Sequence, residues 1–246
     1  MSAAAGEDVN IGTWGLFVAL RIFMLYCDQS LAGEQSILSL SVRNVRGRDD
    51  ANKNHNEGYI MQKGTIIFLN GVSSAGKTTL AKILQHKLET PYYWLSEDIF
   101  REMTPRKFDN EDSEENEWAW IHSIFGMYHT ARMYSDLGMN VIVDTVTDDN
   151  IFLDKIVELL HNHPALFVQV TCPPEELQRR EKERGDRIIG LAVEQLSELC
   201  PQDNTYDITV DTHASTIEDC ADEIIVLLDS PEKFTAFKIL WAQRTK

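Results

Sequence analysis

Cysteine is scarce in this chain. Four are present, Cys27, Cys172, Cys200 and Cys220, and none forms a Cys-x-x-Cys pair. No His/Cys group has the spacing of a zinc site, so neither a disulfide framework nor structural zinc is expected. Reduced thiols and a cytoplasmic setting are the reading that follows. Long apolar runs are also missing. No stretch reaches the roughly 18 residues of a membrane span, and no membrane partner is expected. Basic residues are few, 23 Lys and Arg against 39 Asp and Glu, for a formal net charge of −16. A nucleic-acid binder needs a basic footprint against phosphates, so that class is set aside. One local positive pocket still suffices for a small anion.

Residues 1–60 differ from the rest. The run WGLFVALRIFMLYC (14–27) is apolar but short, and Arg21 interrupts it. Glu7 and Asp8 stand where a signal peptide carries positive charge, and no small-residue cleavage site follows closely. RGRDDANKNHNEG (46–58) has the composition of a linker. Met61 directly precedes a strand-like run and is expected to be the native start. Residues 1–60 are then a dispensable, disordered extension or a gene-start artefact. A tethering or targeting segment is the competing reading. Residues 61–230 are expected to form one domain, and 231–246 a C-terminal tail.

From Met61 the pattern alternates. Strands are expected at 65–69, 92–95, 141–143, 166–171 and 207–210. Between them lie helical patterns. Residues 77–88 place Leu80, Ile83, Leu84 and Leu88 on one face. Helices are also expected at 118–137, at 150–160, and at 175–198 with a break near Gly185. A last one over 215–228 starts from a capping box of Ser215 and Glu218. The acidic run DNEDSEENE (109–117) reads as a solvated loop or helix start. Trp118, Trp120, Phe125 and Tyr128 sit at helical spacing, which favours core over pocket lining. This order predicts an α/β fold, a three-layer α/β/α sandwich around a five-stranded parallel sheet. Asn70, Asp98, Asp144, Cys172 and Asp211 then converge on one rim, at the carboxyl ends of the strands.

That rim carries a phosphate loop. Gly71 to Thr78 (GVSSAGKT) fits G-x-x-x-x-G-K-[ST] in full, between a strand and a helix. Gly71 and Gly76 permit a tight loop. The backbone of Ser73, Ser74, Ala75, Gly76, Lys77, Thr78 and Thr79 is then available to cradle phosphates. Lys77 brings charge to the β and γ phosphates, and the Thr78 hydroxyl is a ligand for Mg²⁺. Asp144 ends a strand where it can hold the metal through water or orient a substrate. No N-K-x-D element marks a GTPase, and no Asp-Glu pair ends a strand as in a motor ATPase. Arg179, Arg180, Arg184 and Arg187 cluster instead on a broken helix, which reads as a mobile lid. A carboxylate is needed to take a hydroxyl proton. Asp98 is the candidate, Glu97 its neighbour, and capping of the helix from Ile99 the plainer alternative for Asp98.

At these residues the sequence resembles the chloramphenicol phosphotransferase-like family of P-loop kinases. The resemblance rests on LNGVSSAGKT (69–78), on Asp98 within LSEDIFREM, and on VIVDT reaching Asp144. It continues through RGDRIIGLA (184–192) and YDITVDT (206–212), in order over nearly all of residues 61–228. It implies an adenylate-kinase-like sheet with a helical lid, ATP as donor, and a small hydroxyl-bearing acceptor. It implies Asp98 as the base, Arg180, Arg184 and Arg187 as lid arginines, and Asp211 and Thr212 near the adenine. Two departures stand out. The segment 103–118 is shorter and far more acidic than in the antibiotic-modifying member, and Thr145 replaces a second Asp after Asp144. That segment is expected to shape the acceptor pocket, so the acceptor does not follow from the family's name. A nucleotide or shikimate-type metabolite kinase is the alternative within enzymes, and a nucleotide-binding module without transfer the alternative outside them. Self-association stays open.

Overall fold

The computed structural model describes residues 62–105, 113–185, 188–203 and 205–245. The expectations for residues 1–60 fall outside them. Five strands alternate with helices in the order β1 (Ile66–Asn70), α1 (Lys77–Lys87), β2 (Tyr92–Ser96), α2 (Glu97–Glu102), α3 (Glu114–Asp136) and β3 (Asn140–Thr145). Then follow α4 (Asn150–Leu160), β4 (Ala165–Thr171), α5 (Pro174–Arg184), α6 (Leu191–Glu198), β5 (Ile208–Asp211), α7 (Ile217–Leu228) and α8 (Ala236–Arg244). All pairings are parallel, in the order β2-β3-β1-β4-β5.

The alternation within β1 builds the layers. Ile67 and Leu69 belong to one cluster with Leu80, Ala81 and Leu84 of α1 and Cys220, Ala221 and Ile224 of α7. Phe68 points to the opposite face, where its ring meets Tyr128 of α3, Phe167 of β4 and Phe237 of α8. Every residue of β1 is buried, as a strand covered on both faces must be. The expected sandwich is therefore present.

The structure departs from expectation at the helix ends. The helix expected from Trp118 starts at Glu114, because the Ser113 side chain accepts from Asn116 N and acidic residues fill its first turn. Thr216, not Ser215, caps α7 by accepting from Asp219 N. Tyr128 is fully buried core, whereas Trp118 is largely exposed. Residues beyond 230 also pack on the sheet. Phe234, Phe237 and Leu240 are buried. One carboxylate organises the attachment: Asp207 Oδ1 accepts from Thr235 N at 2.7 Å and Ala236 N at 2.8 Å, while its Oδ2 accepts from Phe167 N at 2.8 Å. Asp207 thus caps α8 from across the chain, where Thr235 supplies no side-chain cap.

The register aligns the site. Leu69 of β1 and Ser96 of β2 both pair with Asp144, and Thr171 of β4 pairs with Asp211. The strand ends therefore form one continuous rim.

Candidate active site

The loop after β1 is shaped by two glycines for different reasons. A Cβ on Gly71 would lie 2.3 Å from the Val170 carbonyl oxygen, so only glycine lets β4 pass. Gly76 adopts φ 97°, the left-handed conformation that turns the loop into α1. Ser74 holds φ 60° without being glycine, and its buried hydroxyl makes no hydrogen bond. Such local strain is held by surrounding contacts and concentrates at functional sites.

No side chain caps α1 and no acid lies in its first turn. Its leading N–H groups and positive dipole end thus suit an anion. Lys77 is buried at 7% exposure and its ammonium donates to Val72 O at 3.0 Å. Thr78 Oγ1 donates to Asp144 Oδ2 at 2.7 Å, with Thr78 at the surface and Asp144 at 5% exposure. The pair places a hydroxyl and a carboxylate oxygen together, the hard donor set that Mg²⁺ accepts beside a phosphate. The residues present fit the ion and the nucleotide phosphates.

Two further contacts reach the loop from α5 and α6. Arg180 donates to Thr212 O and Thr212 Oγ1, both at 3.0 Å, and to Ser74 O at 3.4 Å. Thr212 Oγ1 in turn donates to Ala75 O at 2.7 Å. Glu176 grips Arg180 from behind at 2.8 Å and also binds Arg179. Those two arginines hold its carboxyl down at about 2. Arg179 also pairs with Glu183 and faces solvent, away from the loop. On α6, Gln195 Oε1 accepts from Ser73 N at 2.8 Å. The α6 start is fixed by Glu181, fully buried on α5, whose carboxylate accepts from Gly190 N at 2.7 Å and Ala192 N at 2.8 Å.

Asn70 closes the floor. Its amide donates to Cys200 O at 2.7 Å and Tyr206 Oη at 2.9 Å, and its carbonyl accepts from Thr147 N at 2.9 Å. Burial pushes the Tyr206 phenol up. Cys172, Cys200 and Cys220 are free and buried, and desolvation raises each thiol, the condition of unreactive sulfur.

Asp98 is exposed in the first turn of α2. It is not the cap: Ser96 Oγ accepts from Ile99 N, so the plainer alternative for Asp98 is replaced by Ser96. Glu97 turns inward. Its Oε1 accepts from the Trp120 indole at 3.3 Å, and its Oε2 from Thr145 Oγ1 at 3.2 Å and Val146 N at 3.4 Å. Thr79 and Arg184 are exposed, and Arg187 lies outside the described residues. Asp211 turns its carboxylate to His213 N and Ala214 N, bracing its own loop. Sequence reasoning assigned no role to Gln195, Glu181 or Tyr206. Tyr206 stood inside the YDITVDT motif, but Gln195 and Glu181 carry no local signal.

Among the described residues no helix is long and apolar enough to cross a membrane. The chain matches the sequence pattern of chloramphenicol phosphotransferase-like proteins over residues 64–229. A provisionally named O-phosphotransferase of Mycobacterium tuberculosis is 30% identical over 185 residues, covering 67% of this chain and 82% of that protein. An adenylyl-sulfate kinase of Clostridium acetobutylicum is 28% identical over 193 residues, 72% of this chain and 88% of its own. Among solved structures, the Mycobacterium tuberculosis APS kinase CysC, in complex with AMPPNP and APS, superposes with a TM-score of 0.53 at 20% identity. It covers 68% of this chain and 99% of that one. Shikimate kinase from Acinetobacter baumannii, in complex with shikimate, gives 0.52 at 18% identity, over 69% and 96%. These likenesses speak for the fold, while the matched pattern and the mycobacterial relative assign the family: the chain belongs to the chloramphenicol phosphotransferase-like family of P-loop kinases.

Proposed function

We propose that this protein transfers the γ-phosphate of ATP to a hydroxyl group of a small molecule. The observation that carries the reading is the Thr78–Asp144 contact of 2.7 Å beside an uncapped α1 and the buried Lys77. Loop amides and Lys77 hold the phosphates, and Thr78 with Asp144 receives Mg²⁺, which supplies neutralising charge to the phosphoryl oxygens. Arg180 braces Ser74 and Thr212 and so keeps the loop in shape for the nucleotide. Asp211 and Thr212 lie on the adenine side. Asp98, exposed in the first turn of α2, takes the hydroxyl proton as the oxygen bonds to phosphorus. Arg184, at the end of α5, and Arg187 are the lid charges that close over the transferring group.

The test is acceptor-stimulated ADP release from ATP and Mg²⁺ across hydroxyl compounds, chloramphenicol included. Asp98→Asn is expected to lower turnover by about 10²–10⁴-fold, the usual contribution of a general base, with ATP affinity unchanged. Wild-type turnover in that variant would remove Asp98 from the role.

A further inference from the structure

The helix α6 has little apolar seat. Ala192 alone of its residues is buried, and Leu196 is 38% exposed. A cavity of about 320 Å³ separates its last turn from the phosphate loop; Val72, Val170 and Thr171 line it together with Leu196, Leu199 and Pro201. A helix that buries so little is placed by its polar contacts and opens at low cost when one is lost. At its start, Glu181 accepts from Gly190 N at 2.7 Å and Ala192 N at 2.8 Å. Just past its far end, Cys200 N donates to Thr147 O at 2.8 Å. Between the two, Gln195 Oε1 accepts from Ser73 N at 2.8 Å.

The middle contact differs in kind from the outer two. Gly190, Ala192 and Cys200 use groups that lie outside the phosphate loop, whereas Ser73 N is a loop amide of the sort that cradles phosphate. One N–H gives one proton, so either Gln195 Oε1 or a phosphate oxygen takes it. Docking of Gln195 and binding of a nucleotide therefore oppose each other at this group, and linkage makes each weaken the other by the same factor. The neighbouring residue is gripped as well: Ser74 O accepts from Arg180 at 3.4 Å. Arg180 precedes Glu181 on α5, and the buried Glu181 carboxylate ties the start of α6 to α5. Two helices joined by one carboxylate thus hold two successive residues of the loop.

Resting on the reading of this loop as a nucleotide site, we propose that Gln195 is a positioning residue that latches α6 to Ser73, and that a nucleotide phosphate releases the latch by taking the Ser73 N–H. Release leaves α6 fixed only at its two ends, by Glu181 and by Cys200, beside the cavity at its last turn. Occupancy of the loop is thereby passed to α6 and, through Glu181, to the helix that carries Arg180 and Arg184. The coupling needs no contact between the nucleotide and α6. It needs only that the amide of Gln195 and the phosphate want the same proton.

Two substitutions of Gln195 with opposite expected signs test this on the full chain, with the non-hydrolysable ATP analogue AMPPNP and Mg²⁺ as the probe. Gln195→Ala removes the latch and should tighten AMPPNP binding by about 2–10-fold, the worth of one net hydrogen bond. Gln195→Glu keeps an acceptor for Ser73 N but sets a negative charge where the phosphate must come, and should weaken binding by at least about tenfold. Amide hydrogen exchange over residues 193–197 reads the helix itself. In the wild type AMPPNP should speed it by about 2–10-fold, by reciprocity. In Gln195→Ala it should already be fast without nucleotide and rise no further. A merely structural Gln195 would instead weaken AMPPNP binding in both variants. That result, an unchanged affinity in both, or wild-type exchange that nucleotide leaves alone or slows would each overturn the latch. AMPPNP binding indifferent to residue 195 removes the latch and leaves the nucleotide site standing. Only a wild type that binds no AMPPNP takes both down.

Discussion

Asn70 joins three parts of the site through one side chain, and its loss strands several groups at once. With Asn70→Ala, Thr147 N loses its acceptor and Cys200 O loses one of its donors, while Tyr206 Oη still reaches Cys200 O at 2.9 Å. Unpaired buried groups cost about 1–3 kcal/mol each, so urea denaturation should show a loss of about 2–4 kcal/mol. A loss below about 1 kcal/mol would mean that water replaces the amide. Gly71 is constrained by packing rather than by backbone angle. Gly71→Ala must push the added methyl away from Val170 O, and a stability loss of about 1–3 kcal/mol is expected from overpacking. Neither cost could be foreseen from the motif, which marks Gly71 as loop-forming but says nothing of β4 behind it.

At the scale of elements, α5 and α6 act on the phosphate loop as a pair. Gln195 takes the Ser73 N–H that a phosphate oxygen would otherwise receive. Gln195→Ala should therefore strengthen ATP binding, by about 2–10-fold for one net hydrogen bond. Nucleotide titration measures it, and weaker binding in the variant would show that Gln195 supports the loop instead of competing. The Glu176 anchor adds a pH statement. Its carboxyl is depressed from 4.5 to about 2 by Arg179 and Arg180, so its contribution is complete above pH 4.5 and fades only as pH falls toward 2. ATP affinity should then show no inflection from this anchor between pH 5 and 9; an inflection that disappears in Glu176→Gln would contradict it. The helical periodicity of 175–198 and its break near Gly185 were legible in sequence. The function of the cluster was only half legible, because opposite charges one helical turn apart decide which arginine faces the loop. Arg179 is taken by Glu176 and Glu183, and Arg180 remains for Thr212.

Across the whole molecule, the second face of the sheet depends on a helix that follows the family's matched segment. Phe237 of α8 stacks on Phe167 at 4.5 Å and meets Phe68 edge-on at 5.8 Å. Phe237→Ala is expected to cost about 3–5 kcal/mol, read as a lowered denaturation midpoint. A change under about 1 kcal/mol would mark α8 as an appendage. The sheet's other end carries a pH-sensitive contact. The His163 side chain is 4% exposed and bonds Asp136 at 2.9 Å, and burial lowers its pKa below the usual 6.5. Below that value the unfolded chain binds the proton more readily. Stability should thus hold above pH 6.5 and decline as pH falls, by at most about 1.4 kcal/mol per unit from this group. Thermal unfolding between pH 8 and 5 checks this, and His163→Gln should flatten the curve.

The sequence by itself determined the strand–helix alternation, the phosphate loop and the rim of strand-end carboxylates, because each is written in local periodicity or in short fixed spacing. Tertiary structure alone decided which partners meet. Glu181 caps α6 from α5, Asp207 caps α8 across the chain, and Ser96 takes the cap that Asp98 stood next to. It also drew Glu97 of α2 against Trp120 of α3. Such contacts depend on register between strands and on which face a helix turns inward. Those are fixed only when both sides of the sheet are buried at once.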